Sequence, residues 1–247
     1  MRVALISDIH GNLTAFQAVL ADIERAMVDQ IVFLGDAITL GPQPKAVVDL
    51  LQTLNCPCIK GNHEAYVLNL EQFLQDNHAA WAKETIAWGV AQLSSDNLAF
   101  LDSFRMTVQI QLDPERPEMQ LLCFHGSPRS FDDMIMAGTS AAELDLLLAD
   151  QVATVMAGGH THIQMMRRHR QVLIINAGSV GLPMEEMPFS GEPRFLAHAE
   201  YTIVDYQSQC LSVELRQVRY AWSLTKAAAL TGGLPYAEAW VQRWRQM

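Results

Sequence analysis

Uninterrupted apolar runs occupy positions 3–6, 31–34, 121–124 and 172–175. Short runs of this kind, closed off by Gly, Asp, Asn or His, are the pattern of strands buried on both faces. They predict strands over residues 3–7, 31–34, 57–60, 119–124, 152–156 and 172–175. Between the first two runs the spacing changes. Leu13, Phe16, Leu20, Ile23 and Met27 fall on one side of a helix over residues 13–27, with Asn12 placed as its N-cap. A second helix is predicted over residues 44–54 and another over 141–149. Residues 65–102 are helical in character, with Trp81, Thr85 and Trp88 near one face, and residues 222–246 are mostly helix. Two hairpins are expected: 106–112 with 119–124 through a Pro-containing turn at 113–118, and 201–206 with 211–218. Strand, helix, strand, helix, strand at the start is the pattern of right-handed βαβ units. The reading is of one domain over residues 1–247, α/β (α+β), with two mixed sheets packed face to face and flanked by helices.

Composition narrows this. Half of the 247 residues are apolar and 18% are charged, enough for a sizeable core and too apolar for a disordered chain. The net charge of −10 argues against a protein that coats nucleic acid or an anionic membrane surface. Four cysteines without C-x-x-C spacing predict neither a disulfide scaffold nor a zinc ribbon, and Cys58 and Cys123 read as buried thiols. The chain enters a strand at once, without a signal peptide's apolar stretch, and no run of about 18 uncharged apolar residues spans a membrane, so a cytoplasmic location is expected.

Candidate chemistry gathers where predicted strands end. The first ends in Asp8-Ile9-His10, the second in Gly35-Asp36, and the third in Gly61-Asn62-His63-Glu64. The strand at 119–124 ends in His125-Gly126, and that at 152–156 runs into Gly159-His160-Thr161-His162. Ligands of α/β sheets bind outside the carboxyl ends of strands, so these donors arrive at one edge. Seven oxygen and nitrogen donors without a thiolate describe a metal site with room for more than one ion. Residues two apart on an extended segment share a side, so Asp8 with His10, and His160 with His162, can each address one cluster. Asn62 and His63 are adjacent and diverge, one toward metal and one toward substrate. His78, His169 and His198 lack such company and receive no role.

These blocks resemble the calcineurin-like metallophosphoesterase family: D-x-H, G-D, G-N-H-[DE], a lone His and G-H-x-H, in order over residues 8–162. Asn176-Ala177-Gly178-Ser179 is similar to the family's N-P-G-S segment, with Ala177 in place of Pro, a change expected to affect loop rigidity. The length and the opening Asp8-Ile9-His10-Gly11-Asn12-Leu13 look most like small prokaryotic phosphodiesterases related to diadenosine tetraphosphatases. The resemblance implies a four-layered αββα sandwich with a dinuclear centre. One ion would be held by Asp8, His10, Asp36 and His162, the other by Asp36, Asn62, His125 and His160, with Asp36 bridging. His63 would stabilise or protonate the leaving oxygen, with Glu64 either orienting it or solvating a helix start.

The function so implied is hydrolysis of a phosphodiester or nucleotide-like phosphoester by in-line attack of a metal-bridging hydroxide. Imidazole and carboxylate donors suit two divalent transition-metal ions from among Mn, Fe, Zn, Ni and Co. The rivals are a phosphomonoesterase or protein phosphatase, and a non-catalytic scaffold on the same fold; the intact ligand set and His63 speak against the scaffold. A small phosphoester is the expected partner, with no membrane and no non-specific nucleic acid. Candidate substrate walls are residues 65–105, 127–139 and 182–196. In the last of these, Met184, Met187 and Phe189 could pack on a base and Arg194 could reach a phosphate.

Overall fold

Strand β1 (Arg2–Ile6) alternates between two apolar layers. Val3 and Leu5 point into the space between two sheets, and Ala4 and Ile6 point toward helices, which is why all four positions are apolar. The computed structural model describes residues 1–149, 151–187 and 192–244. Helix α1 (Leu13–Ala26) begins at Asn12, whose side chain accepts the Ala15 N–H at 3.2 Å. Strand β2 (Gln30–Phe33) returns parallel to β1. Helix α2 (Pro44–Thr53) opens on a proline, where the missing N–H costs nothing.

The helical stretch that follows is broken into α3 (Asn62–Leu68), α4 (Leu70–Gln75), α5 (Ala80–Val90) and α6 (Ser95–Asp102). The chain continues through β3 (Val108–Gln111), β4 (Gln120–Cys123), α7 (Ala141–Leu148), β5 (Val155–Gly158), β6 (Met165–His169) and β7 (Val172–Asn176). It then forms β8 (Ala199–Gln207), β9 (Cys210–Val218), α8 (Trp222–Thr231) and α9 (Ala237–Gln242).

One sheet has four strands in the order β2-β1-β8-β9, the other five in the order β3-β4-β5-β7-β6, and both mix parallel and antiparallel pairs. Val3, Leu5 and Val204 of the first meet Leu121, Val155 and Ile175 of the second in a shared core. Phe16, Val47, Val48 and Leu51 of α1 and α2 cover the outer face of the four-stranded sheet. Leu144 and Leu148 of α7 cover the outer face of the other against Leu122, Met156 and Ile174. The layering is therefore αββα. Among the described residues no helix is long and apolar enough to cross a membrane.

Three local expectations change. Residues 57–60 make only single bridges, Cys58 to Phe33 and Ile59 to Arg105, because Pro57 has no N–H to extend a ladder. Strand β6 has no apolar run; its sequence is MMRRH, with Met166 exposed at the sheet edge. Cys123 is buried, whereas Cys58 is only partly covered.

Candidate metal centre

Asp8 and His10 follow β1, Asp36 follows β2, His125 follows β4, and His160 and His162 follow β5. These strands end at one edge of the sandwich, and Asn62 and His63 reach it from the first turn of α3. Two donor clusters result. In one, His10 Nε2 lies 3.0 Å from His162 Nε2, and Asp8 Oδ1 lies 3.2 Å from His162 Nε2 and 3.8 Å from His10 Nε2. In the other, Asn62 Oδ1 is 3.0 Å from both His125 Nε2 and His160 Nδ1, and Asp36 Oδ2 is 3.4 Å from His125 Nε2. Asp36 Oδ2 is also 3.7 Å from His10 Nε2, so it stands between the clusters.

Backbone carbonyls set the imidazoles. His10, His125 and His162 direct Nδ1 at the carbonyl oxygens of Ile38, Leu34 and Leu182, at 3.3, 2.8 and 2.9 Å. A carbonyl only accepts, so Nδ1 carries the proton and Nε2 turns a lone pair inward. Two such lone pairs 3.0 Å apart, beside a buried Asp8 Oδ1 with no hydrogen-bond partner, call for positive charge between them. The donors fit divalent cations, as oxygen and imidazole nitrogen with no thiolate.

Without an ion, protons supply part of that charge, and a bound cation would displace them. Burial works against ionising Asp8, but His162 and His125 outweigh it and hold the carboxyl at about 2. Burial opposes Asp36 too, and His125 and His63 hold it well below the usual carboxylate range. Burial would strip His125 of charge, yet Asp36 raises it to about 10. Burial and the neighbouring His162 push His10 down to about 3.

The backbone here is bent rather than extended. Asp8, His10, Asp36, His160 and His162 have φ of 54, 46, 62, 67 and 59°. Side-chain-bearing residues seldom adopt this left-handed region, and they persist there only when neighbours over-determine them. Asp8 and His10 donate their N–H groups to the carbonyls of Gly35 and Asp36 at 2.9 and 3.0 Å, and His160 N–H reaches Asp8 Oδ2 at 3.1 Å. Asp8 and His10 thus share a cluster through a left-handed turn, not through extended chain. His160 and His162 go to different clusters, where i, i+2 spacing alone would have put them together. Asn62 and His63 diverge because a helix turns about 100° per residue. Gly61 must lack a side chain, since a Cβ there would collide with Asp36 Oδ1.

Supporting residues emerge that the motifs did not single out for these roles. Buried Glu64 caps the start of α3 through the Gly61 N–H, as expected of a helix-start residue, and it does more than that. Its carboxylate accepts the N–H groups of Asp36, Ala37 and Gly61, each at 2.8 Å, and so clamps the Asp36 loop. Burial and the nearby Asp36 push Glu64 up to about 7, against those three donors. Thr39 sits 2.6 Å from His63 Nδ1, and no sequence signal marks it. His63 Nε2 lies 4.0 Å from Asp36 Oδ2. Ser179 Oγ donates to the Asp8 carbonyl at 2.7 Å. Ala177 donates its N–H to Gly158 at 2.9 Å, a bond that proline could not make, so this position extends the sheet ladder. His78 stacks on Phe73, His169 pairs with Asp145, and His198 pairs with Glu200, all away from the centre.

A cleft of about 430 Å³ opens beside His162. Trp81 and Thr85 of α5 form one wall, Leu182, Met184, Met187 and Phe195 another, and Tyr236 and Trp240 a third that the sequence did not announce. Residues 127–139 are not among those lining it. Arg194 is exposed and does not line it, whereas Arg243 does. Phe189 lies outside the described residues.

Comparison with known proteins gives the same outline. The profile of the calcineurin-like phosphoesterase superfamily domain matches residues 1–208. An uncharacterized protein of Methanocaldococcus jannaschii is 30% identical over 234 residues, 88% of this chain and 87% of that one. The crystal structure of a metallophosphoesterase from Sphaerobacter thermophilus aligns with a TM-score of 0.74 at 27% identity, covering 98% of this chain and 97% of the other. A hypothetical protein from Pyrococcus horikoshii OT3 aligns with a TM-score of 0.77 over 95% and 94% of the two chains, at 16% identity, and shares the fold.

Proposed function

The chain belongs to the calcineurin-like phosphoesterase superfamily, and we propose that it hydrolyses a phosphodiester or nucleotide-like phosphoester at a centre for two divalent transition-metal ions. The observation that carries this reading is Asp36, one carboxylate standing between two histidine-rich clusters. Asp8, His10, Asp36 and His162 would hold one ion and Asp36, Asn62, His125 and His160 the other. Bound there, the ions supply Lewis acidity toward a phosphoryl oxygen and lower the pKa of water toward neutral. The candidates are Mn, Fe, Zn, Ni and Co, because the donors mix imidazole with carboxylate.

The chain's own residues do the rest. The carbonyls of Ile38, Leu34 and Leu182 hold three imidazoles in the tautomer that binds. Glu64 fixes the loop that carries Asp36. His63 stands at the edge with Nε2 4.0 Å from Asp36 Oδ2, where it would stabilise or protonate the departing ester oxygen against a burial that lowers its pKa. The acidic surface keeps the partner small rather than a nucleic-acid duplex. The test is a screen of metal-reconstituted protein against mono-, di- and dinucleoside polyphosphate esters. Diesters should turn over with Mn²⁺; no turnover of any phosphoester with any of the five metals would overturn the reading.

A further inference from the structure

The cleft beside His162 is far more apolar than a phosphate-handling enzyme needs at its centre. Leu182, Met184, Phe195 and Trp240 are buried in its walls. Trp81 and Tyr236 remain 42% and 49% exposed at its sides, large aromatic surfaces that the chain leaves uncovered. Isolated exposed apolar residues mean little, but two that line one concave apolar site beside a reaction centre are placed for a ligand.

Most of its polar groups are already engaged, while Trp240 Nε1 is buried without a hydrogen-bond partner. Thr85 Oγ1 donates to the Trp81 carbonyl at 2.7 Å. Arg243 sends Nε and Nη2 to the two oxygens of Glu192, each at 3.0 Å, and its guanidinium lies 5.3 Å from the centre of the Trp81 ring. A bidentate pair of this kind occupies Arg243, although Glu192 is largely exposed. Among the described lining residues there is therefore no free cation to meet a second phosphate. A volume of about 430 Å³ lies within the roughly 300–1,000 Å³ of small-molecule sites.

We propose that this cleft receives an uncharged aromatic group esterified to the single phosphate at the metal centre, and that Trp81, Tyr236 and Trp240 select it. The preferred substrate is then a diester with one bulky aromatic arm, and a polyphosphate chain is disfavoured. This rests on the phosphoesterase reading, since it is the phosphate at the centre that places the arm beside His162. The outer wall comes from α9, beyond the residues matched by the superfamily profile.

The experiment has a binding arm and a rate arm, both with protein incubated with Mn²⁺. Calorimetry should show diphenyl phosphate binding at least about tenfold more tightly than dimethyl phosphate, the scale on which an apolar pocket discriminates. The rate constant kcat/KM for phenyl p-nitrophenyl phosphate should exceed those for the methyl and hexyl analogues, which share its leaving group. Ala239→Trp, at an exposed position of α9 that lines the cleft, should fill the space and collapse both preferences. Tyr236→Ser, also at an exposed position, should reduce them, so the test stands if one variant folds poorly. Hydrolysis with equal kcat/KM for phenyl, methyl and hexyl esters, or preference for a dinucleoside polyphosphate, overturns the inference and leaves the phosphoesterase reading intact. Tight diphenyl phosphate binding that Ala239→Trp removes, without hydrolysis of any ester, would overturn the phosphoesterase reading and leave the aromatic cleft.

Discussion

His63 donates the proton on Nδ1 to the hydroxyl oxygen of Thr39 across 2.6 Å. The direction follows from the next link: Thr39 spends its own proton on the Ile38 carbonyl at 2.5 Å and has only lone pairs left for the imidazole. The same carbonyl receives His10 Nδ1 at 3.3 Å, so one backbone oxygen orients both the leaving-group side and the metal side. Thr39→Val keeps the shape and removes the acceptor. It should lower kcat for esters with poor leaving groups by roughly tenfold, a part of the 10²–10⁴ that general acids contribute. Thr39→Ser should restore the rate, and metal content should not change. Equal losses for Val and Ser would mean packing, not the hydrogen bond, is what Thr39 provides.

His63→Ala should cut kcat by about 10²–10⁴-fold for alkyl esters while leaving metal content unchanged. The loss should shrink for nitrophenyl esters, whose leaving group needs little protonation. Loss of metal from the variant would make His63 a ligand, a role its place in a third donor group with His10 and Asp36 puts to the test.

Asp36→Asn removes the carboxylate that stands between the clusters. Metal content measured by elemental analysis should fall together with rate. Two retained ions with normal turnover would defeat the bridging assignment.

Chelation should abolish phosphoesterase activity, and Mn²⁺, Co²⁺ or Ni²⁺ should restore it. The chelated protein should melt at a lower temperature, because an ion at 100 times its Kd stabilises the native state by about 2.7 kcal/mol. An unchanged melting curve after complete metal removal would count against ligands held only in the folded state.

Glu64→Ala should destabilise the fold by about 1–3 kcal/mol, since three buried N–H groups lose their acceptor. Denaturant unfolding of the metal-free variant reads this directly. No loss there would mean that water takes over the role of the carboxylate.

The layered fold was readable because β1, β2, β4 and β7 each carry a run of apolar residues, mostly buried, with polar residues only at the strand ends. The donors that gather at the candidate centre were readable as a group because most of them follow a strand in a short motif. Strand β6 escaped because an edge strand can expose charged side chains, and Arg167 and Arg168 break the apolar pattern. Thr39 escaped because its contact depends on a left-handed φ of 68° in a loop, which no residue type announces except glycine. Glu64 lay within a recognised block, yet its partners are backbone N–H groups contributed by Asp36 and Ala37, 28 and 27 residues away. The α9 wall of the cleft escaped because Tyr236 and Trp240 read only as helix-face residues until the helix is docked.

Each donor cluster draws on both sheets: Asp8 and His10 from the four-stranded one with His162 from the other, and Asp36 with His125 and His160 likewise. During synthesis, neither set is complete until the chain beyond β5 has emerged and the two layers have closed on each other. The apolar layers that drive that closure contain none of the donors. An ion in the proposed centre would therefore be a clasp fitted to a finished sandwich. Protein stripped of metal should then keep its two layers closed and take up ions again without unfolding.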